Sequence, residues 1–370
     1  MLVRRFGENE VAPIVREYDA QEKLPSEILE RMAMLGFFGG TVPPEFGGLG
    51  LDYLTYVSVI EEMSRFDHCL AMLMSMPSGL VGSGILKFGT EEQRERWLMP
   101  LALGQTFGGG GVTEPRSGSD VAGTQTRYTR DGPNFRLTGA KAWITNLDIA
   151  SFFVTFATSD PSLGRRGISA FIVPADAPGV IKRPFRNKLG FRPLCTGELT
   201  FEDVVLGSDS LLGEEGDGFR VAMTAVERGR LTVAARAVGL AQACLDDSTA
   251  YARERIVFGH PISEFQMVQK KLADMAVEIQ AARLLTRDCA KALQAGQRGR
   301  KEASMAKMFA SDVAQRAATE ALQIHGANGV SDEFRVNRFY RDSKVFQIIE
   351  GPNDIHRTLV SDYVLGVRSD

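Results

Sequence analysis

Apolar residues recur at helical spacing in the first part of the chain. ILERMAMLGFF (28–38) and YLTYVSVIEEM (53–63) each predict an amphipathic helix. Between them, TVPPEFGGLGLD (41–52) is broken by Pro43, Pro44, Gly47, Gly48 and Gly50 and predicts a loop. The pattern then changes. FRLTGAKAWIT, SFFVTFATS, GISAFIVPA and GELTFEDVVL are rich in β-branched and aromatic residues, with clusters of Gly, Pro, Asp and Ser between them. No helix-length segment separates these strands, which predicts a β domain of antiparallel character. Helical spacing returns beyond residue 212. Val268, Leu272, Met275, Ile279 and Ala282 line one helix face, and Val233, Ala237, Leu240 and Cys244 line another. AGQRGRK (295–301) predicts a turn between two helices. A last helix is expected to start at Pro352, with Ile355, Leu359 and Tyr363 along one face. The expected class is α+β, with a helical domain over 1–105, a β domain over 106–212 and a helical domain over 213–370.

Composition narrows the function classes. The chain has 370 residues, 44% of them hydrophobic, enough for more than one domain. Its 46 acids and 43 bases leave a formal net charge of −3, without the basic excess of a nucleic-acid-binding surface. No apolar run approaches the roughly 18 residues that span a bilayer. Two arginines near the N-terminus have no apolar run behind them, so no secretory signal is expected. The four cysteines and four histidines are scattered, which predicts neither a disulfide framework nor a metal site, and fits a cytoplasmic location. The chain has no Walker phosphate loop, no G-x-G-x-x-G dinucleotide fingerprint and no G-x-S-x-G nucleophile elbow.

Five stretches carry candidate chemistry. FGGGG (107–111) is like a phosphate cradle but has no lysine after it; such a glycine run predicts a strand that another group approaches closely. GVTEPRSGSD (111–120) sets Thr113, Ser117 and Ser119 among glycines, either as a plain turn or as a loop offering N–H groups and hydroxyls to a ligand. KAWITN (141–146) places Trp143 and Thr145 on one strand face, suited to a flat heterocycle or simply to a core. IKRPFRNKLGFR (181–192) carries Lys182, Arg183, Arg186, Lys188 and Arg192, which read as a solvated connection or as a basic patch for an anionic partner. In VFQIIEGPNDIHR, Glu350 is the only acid from Lys344 to Asn353. An apolar setting beside Ile348 and Ile349 would raise its pKa and suit a general base. An acid just before a helix is also favourable for structural reasons alone.

TEPRSGSD, KAWITN, KLGFRPLCTGELTFEDVVL, LLGEEGDGF, ERIVFGHPISEFQ, ALQIHGANGV and RDSKVFQIIEGPNDIHR follow one another in this order, after LPSEILERMAMLGFFGGTVPPEFGGLG. In register, they resemble the acyl-CoA dehydrogenase family over essentially the whole chain. The resemblance implies an N-terminal helical domain, a middle β domain and a C-terminal four-helix bundle. It implies FAD bound without a Rossmann domain, its ring between the β domain and the bundle. Val112 and Thr113 then lie near the pyrimidine edge, Ser119 near the FAD phosphates and the pantetheine arm, Trp143 beside the ring and Thr145 near N5. Arg255, Gln266 and Gln323 are implied to reach the FAD of a neighbouring subunit in a homotetramer, and Phe258 and Gly326 belong to the same cofactor set. Glu350 matches the catalytic base. The alternative base position of some relatives is Gly229 here, which cannot act. Arg230 matches an arginine near the acyl pocket, Glu227 a pantetheine contact and Gly351 a substrate contact.

The implied reaction is α,β-dehydrogenation of a saturated acyl thioester, carried by CoA or an acyl carrier protein, with an electron-transfer flavoprotein as acceptor. A flavin monooxygenase or oxidase on the same fold, and a non-catalytic member, are the competing expectations. The chain departs from the family pattern at Pro352, Val257 and Ala327. These replace a threonine, a threonine and a glycine that contact or approach the cofactor.

Overall fold

The structure, a computed structural model, describes residues 2–368. Helices fill the chain up to Ala102, among them Ser26–Met34 (α1), Tyr53–Ser64 (α2) and His68–Ser75 (α3). α1 buries Ile28, Leu29 and Met32, the helical spacing read from the sequence. Asp52 caps α2 by accepting from the Thr55 N–H at 2.9 Å, and Asp67 caps α3 through the N–H of Leu70 at 2.9 Å.

One eight-stranded sheet follows: Phe107–Gly111 (β1), Arg127–Asp131 (β2), Asn134–Thr145 (β3), Ala150–Thr158 (β4), Ile168–Pro174 (β5), Val180–Pro184 (β6), Thr196–Leu206 (β7) and Leu211–Leu212 (β8). The order is β6-β7-β3-β2-β4-β5-β8, with β1 on β4. Antiparallel pairing holds at β2–β3, β3–β7, β6–β7, β4–β5 and β5–β8. β1, however, runs parallel to β4, and β2 meets β4 through one parallel pair, Arg127 and Thr158. The glycines of β1 serve this packing rather than a phosphate. A Cβ at Gly109 would fall 2.6 Å from the Phe153 ring, and one at Gly110 2.9 Å from Leu80. The group that approaches FGGGG is therefore protein.

The last region contains Gly218–Glu254 (α4), Gln266–Gln294 (α5), Arg300–His325 (α6), Val336–Phe346 (α7) and Asn353–Val364 (α8). α4, α5 and α6 pack on one another. α7 lies against α4 and α6, and α8 against α6. Residues 295–299 form the expected turn, with Gly296 and Gly299 at φ +75° and +64°. α4 also packs on α2, α3, β4 and β5, so one 37-residue helix touches all three regions.

Two details of α8 differ from expectation. Pro352 is extended (φ −62°, ψ 151°) and precedes the helix, which starts at Asn353. Ile355 is exposed, and the buried residues are Asn353 and His356. These two polar side chains hold backbone and side-chain groups around the preceding turn, and that requirement takes the inward face from Ile355. Among the described residues no helix is long and apolar enough to cross a membrane.

Candidate active site

The turn after α7 carries Glu350 at φ +54°, followed by Gly351 at +90°. A side chain at positive φ is strained, so surrounding contacts must hold it there. Three cationic or polar side chains do so. Arg230 Nε donates to the Glu350 carbonyl at 3.4 Å, and His356 Nε2 lies 3.2 Å from the same oxygen. Lys307 on α6, fully buried, donates to the Gly351 carbonyl at 2.8 Å and to Asn353 Oδ1 at 2.9 Å. Asn353 in turn donates to Asp312 Oδ1 at 2.7 Å. The turn is thus fixed from α4, α6 and α8 together.

The Glu350 carboxyl rests on Gly229 of α4. A Cβ built on that glycine would lie 2.6 Å from Cδ and 2.7 and 2.8 Å from the two carboxyl oxygens. Gly229 is therefore the space that the acid occupies, as well as a position lacking an acid of its own. Burial pushes Glu350 up to about 7, against the opposing pull of Arg236, Arg230 and Lys307. Its flanking isoleucines contribute unequally: Ile349 packs against the core, whereas Ile348 is 57% exposed. Burial also brings Lys307 down to about 7 and His356 down to about 3.

Two outcomes follow for this turn. In Gly229→Ala, helix propensity alone favours the variant by about 1 kcal/mol. Displacing the carboxyl by about 1 Å costs on the order of 10²-fold in rate. With Glu350 as the base that the family resemblance implies, stopped-flow flavin reduction should therefore fall far more than thermal stability changes. Lys307→Met leaves the Gly351 carbonyl and Asn353 without their buried donor, which costs about 1–3 kcal/mol. Removing a positive neighbour also raises the Glu350 pKa, so the acid limb of the rate profile should shift to higher pH.

Thr113 and the tryptophan strand are joined by the Ala142 N–H, which donates to the Thr113 carbonyl at 2.9 Å. Beneath them lies a pair that the motif reading did not single out. Lys141 Nζ contacts Glu114 Oε1 at 2.7 Å, with side chains 0% and 4% exposed. Glu114 also accepts from the N–H groups of Gln125 at 2.7 Å and Thr126 at 2.9 Å. The sequence offered one signal for this pair, a charged residue at the edge of each of two neighbouring motifs.

In β3 the register slips between Lys141 and Ile144, so an extra residue bulges out. Trp143 sits in that bulge at φ +62° and is 63% exposed, with Phe185 edge-on at 4.9 Å. Ile144 enters the core, and Thr145 stays half-buried opposite Thr196. Val112 packs against the core, while Ser119 is exposed on the loop.

A second group lies elsewhere. Phe258 (φ +52°, 90% exposed) and Gln323 line an apolar groove of about 290 Å³ with Val257, Phe265, Val268 and Ile324. Arg255 and Gln266 are exposed on the flanking segments, and Gly326 ends α6. Val257 thus supplies apolar surface where a hydroxyl was expected, and Ala327 begins a short helix. Gln323 is 16 residues beyond Lys307 on α6, so the groove is about 24 Å from the Glu350 turn at 1.5 Å per residue. Glu227 is paired with Arg300. Of the five bases in 181–192, Arg192 pairs with Glu22, Lys188 donates to the Arg192 carbonyl and Lys182 lies over Phe153. Arg183 and Arg186 are exposed.

Sequence models of the acyl-CoA dehydrogenase N-terminal, middle and C-terminal domains match residues 1–105, 109–204 and 216–365. The chain belongs to the acyl-CoA dehydrogenase family. It is 41% identical over 362 residues to the mitochondrial short-chain specific acyl-CoA dehydrogenase of Bos taurus, covering 98% of this chain and 88% of that one. Butyryl-CoA dehydrogenase from Megasphaera elsdenii superposes with a TM-score of 0.95 at 39% identity, covering 98% and 96% of the two chains. The prolyl acyl carrier protein oxidase AnaB superposes with a TM-score of 0.94 at 31% identity, covering 98% and 96%.

As an acyl-CoA dehydrogenase, the chain is an oxidoreductase of CH–CH groups, and the family's cofactor is FAD. The residues present fit that cofactor. An exposed tryptophan is uncommon, and Trp143 offers a flat apolar face tied to a loop of hydroxyls and to Thr145.

Proposed function

We propose that this acyl-CoA dehydrogenase removes hydrogen from the α and β carbons of short saturated acyl-CoA thioesters, with Glu350 as the base. The observation that carries this reading is the Glu350 turn. Its carboxyl, raised to about 7, is seated on a glycine, and its backbone is held at positive φ by Arg230, His356 and Lys307.

A pKa near the working pH leaves much of Glu350 ionised while keeping it basic enough to take a proton from carbon. Its backbone N–H is the donor for the thioester oxygen, where charge develops as the α-proton leaves; one such donor is worth about 3 kcal/mol. Arg230 and Lys307 favour the carboxylate before transfer and fix the backbone through it. FAD bound beside Trp143 and Thr145, with Val112, Thr113 and Ser119 along its length, supplies the acceptor for the β-hydride. Glu227 and Gly351 complete the thioester contacts.

Gln323 and Gly326 lie too far along α6 to reach the same cofactor as Glu350, and Phe258 lines the same groove as Gln323, with Arg255 and Gln266 on the flanking segments. They serve the FAD of a neighbouring subunit, which supports a homo-oligomer. Electrons then leave to an electron-transfer flavoprotein.

The test is anaerobic titration of the FAD-bound protein with butyryl-CoA. Loss of flavin absorbance with one equivalent of but-2-enoyl-CoA per subunit is expected. An unchanged spectrum with every saturated acyl thioester overturns the reading.

A further inference from the structure

Arg230, His356 and Lys307 hold the Glu350 turn from the helices. A different segment ties that part of the chain to the β domain. Residues 185–195 connect β6 to β7 and lie against α7. A Cβ at Gly190 would fall 2.6 Å from the Arg341 carbonyl oxygen and 2.7 Å from Asp342 Oδ1, so backbone rests directly on the helix. The next residue, Phe191, is buried at φ +53°. A bulky residue in that region is strained and persists only where its surroundings fix it; such outliers cluster at functional sites. Here the surroundings do so twice. The Phe191 N–H donates to Asp342 Oδ1 at 2.7 Å, and its ring packs on His68 (centroids 4.4 Å apart) and on Phe346 (5.2 Å). His68 Nε2 stands 3.4 Å from the other oxygen of Asp342.

The two ends of the segment reach the other half of the site. Phe185 lies edge-on to Trp143 at 4.9 Å, and its N–H donates to the Thr196 carbonyl at 2.8 Å. The Cys195 carbonyl accepts from the Leu147 N–H at 3.2 Å, and Thr196 pairs with Thr145. Phe346, which the Phe191 ring touches, ends α7 four residues before Glu350. One strained residue thus bears on the helix that leads into the Glu350 turn, while its own segment holds the Trp143–Thr145 end of β3.

We propose that Phe191, fixed by Asp342, is a positioning residue that sets the span between Glu350 and the Trp143–Thr145 end of β3. This rests on the dehydrogenase reading above. That reaction breaks two C–H bonds on adjacent carbons. The α-proton goes to Glu350, and the β-hydrogen leaves with its electron pair to the flavin beside Trp143 and Thr145. Each transfer needs its acceptor close by, and the two acceptors are held by different regions of the chain. An error of about 1 Å in the span costs on the order of 10²-fold in rate. A shift of one half against the other keeps the contacts within each half, so it lowers the rate of transfer and spares affinity.

The experiment compares FAD-bound wild-type protein with Asp342→Ala, which removes the acceptor of the Phe191 N–H, and with Asp342→Asn, which keeps one. Anaerobic stopped-flow reduction by butyryl-CoA gives the limiting rate and the dissociation constant separately. Asp342→Ala is expected to lower the limiting rate by about 10- to 100-fold, with the dissociation constant within about threefold of wild type. Asp342→Asn should keep both within about threefold. Visible circular dichroism of the bound flavin, recorded without substrate, reads the setting of the ring; it should change in Asp342→Ala and stay as in wild type in Asp342→Asn. If Asp342→Ala does not retain FAD, Phe191→Leu, which keeps apolar bulk and loses the ring contacts, takes its place with the same expectations. A limiting rate within about threefold of wild type, with unchanged dichroism, in the variant that retains FAD overturns the inference and leaves the dehydrogenase reading standing. So do equal losses in Asp342→Ala and Asp342→Asn, because the charge rather than the hydrogen bond would then be the cause. Bleaching of the wild-type flavin by no saturated thioester overturns the reading beneath it as well.

Discussion

Replacing Glu350 by glutamine is expected to lower the rate of anaerobic flavin reduction by at least about 10²–10⁴, the usual contribution of a positioned general base. Glutamine keeps the size of the side chain and leaves the backbone bonds from Arg230, His356 and Lys307 intact. FAD absorbance and thermal unfolding should therefore change far less than the rate. In the wild-type protein the same rate should rise about tenfold per pH unit below about 7 and level off above it, because only the carboxylate accepts the proton. The sign follows from burial: it favours the neutral acid, so the working form appears only as pH climbs through the raised value. Rapid-mixing measurements across pH 5–9 read both effects. A glutamine variant that reduces flavin at near wild-type rate would remove Glu350 from the role.

The largest effect on stability is expected at Lys141. Lys141→Met leaves Glu114 as an unpaired buried carboxylate, and breaking a buried ion pair from one side costs about 3–5 kcal/mol. Because the pair joins the 113–120 loop to β3, loss of FAD should accompany the loss of stability. The double variant Lys141→Met with Glu114→Gln removes the stranded charge and keeps an acceptor for one of the two N–H groups, Gln125 or Thr126. It should recover much of the loss. Thermal denaturation of the holo-protein, with flavin release followed by fluorescence, distinguishes the two variants. Equal destabilisation of both would mean that the charge is not the cause.

The order of elements was legible because it rests on local periodicity. The helical runs around Met32 and Met275 and the β-branched segments from 135 to 206 lie where their spacing predicts. Parallel pairing of β1 with β4 was not legible, since it depends on Phe152, Phe153 and Leu80 packing on glycines about 30–45 residues away in sequence. Glu350 stood out as an isolated acid in an apolar run, and the resemblance of its motif is what implies a role for it. What holds it did not stand out. Gly229, Lys307 and Arg236 lie 121, 43 and 114 residues from Glu350, and each looks ordinary in its own helix. Gly229 reads as a weak point in α4, Lys307 as a surface lysine and Arg236 as one of many arginines. Only packing turns them into a seat, a clamp and a charge that opposes the rise in the Glu350 pKa. Trp143 shows the same limit: simple alternation places it on a strand face, whereas a bulge aims it outward. At α8 the polar demands of the Glu350 turn overrode the apolar pattern through Ile355.

The central claim is that Glu350 removes the α-proton of the bound thioester. The most direct measurement is hydrogen exchange at that carbon, with FAD-bound protein incubated anaerobically with butyryl-CoA in D₂O and the substrate analysed by NMR. Deuterium is expected at the α carbon in the presence of wild-type protein, at a rate that falls as pH drops below about 7, and at the uncatalysed background with Glu350→Gln. Equal α-exchange by wild-type and Glu350→Gln would contradict the account.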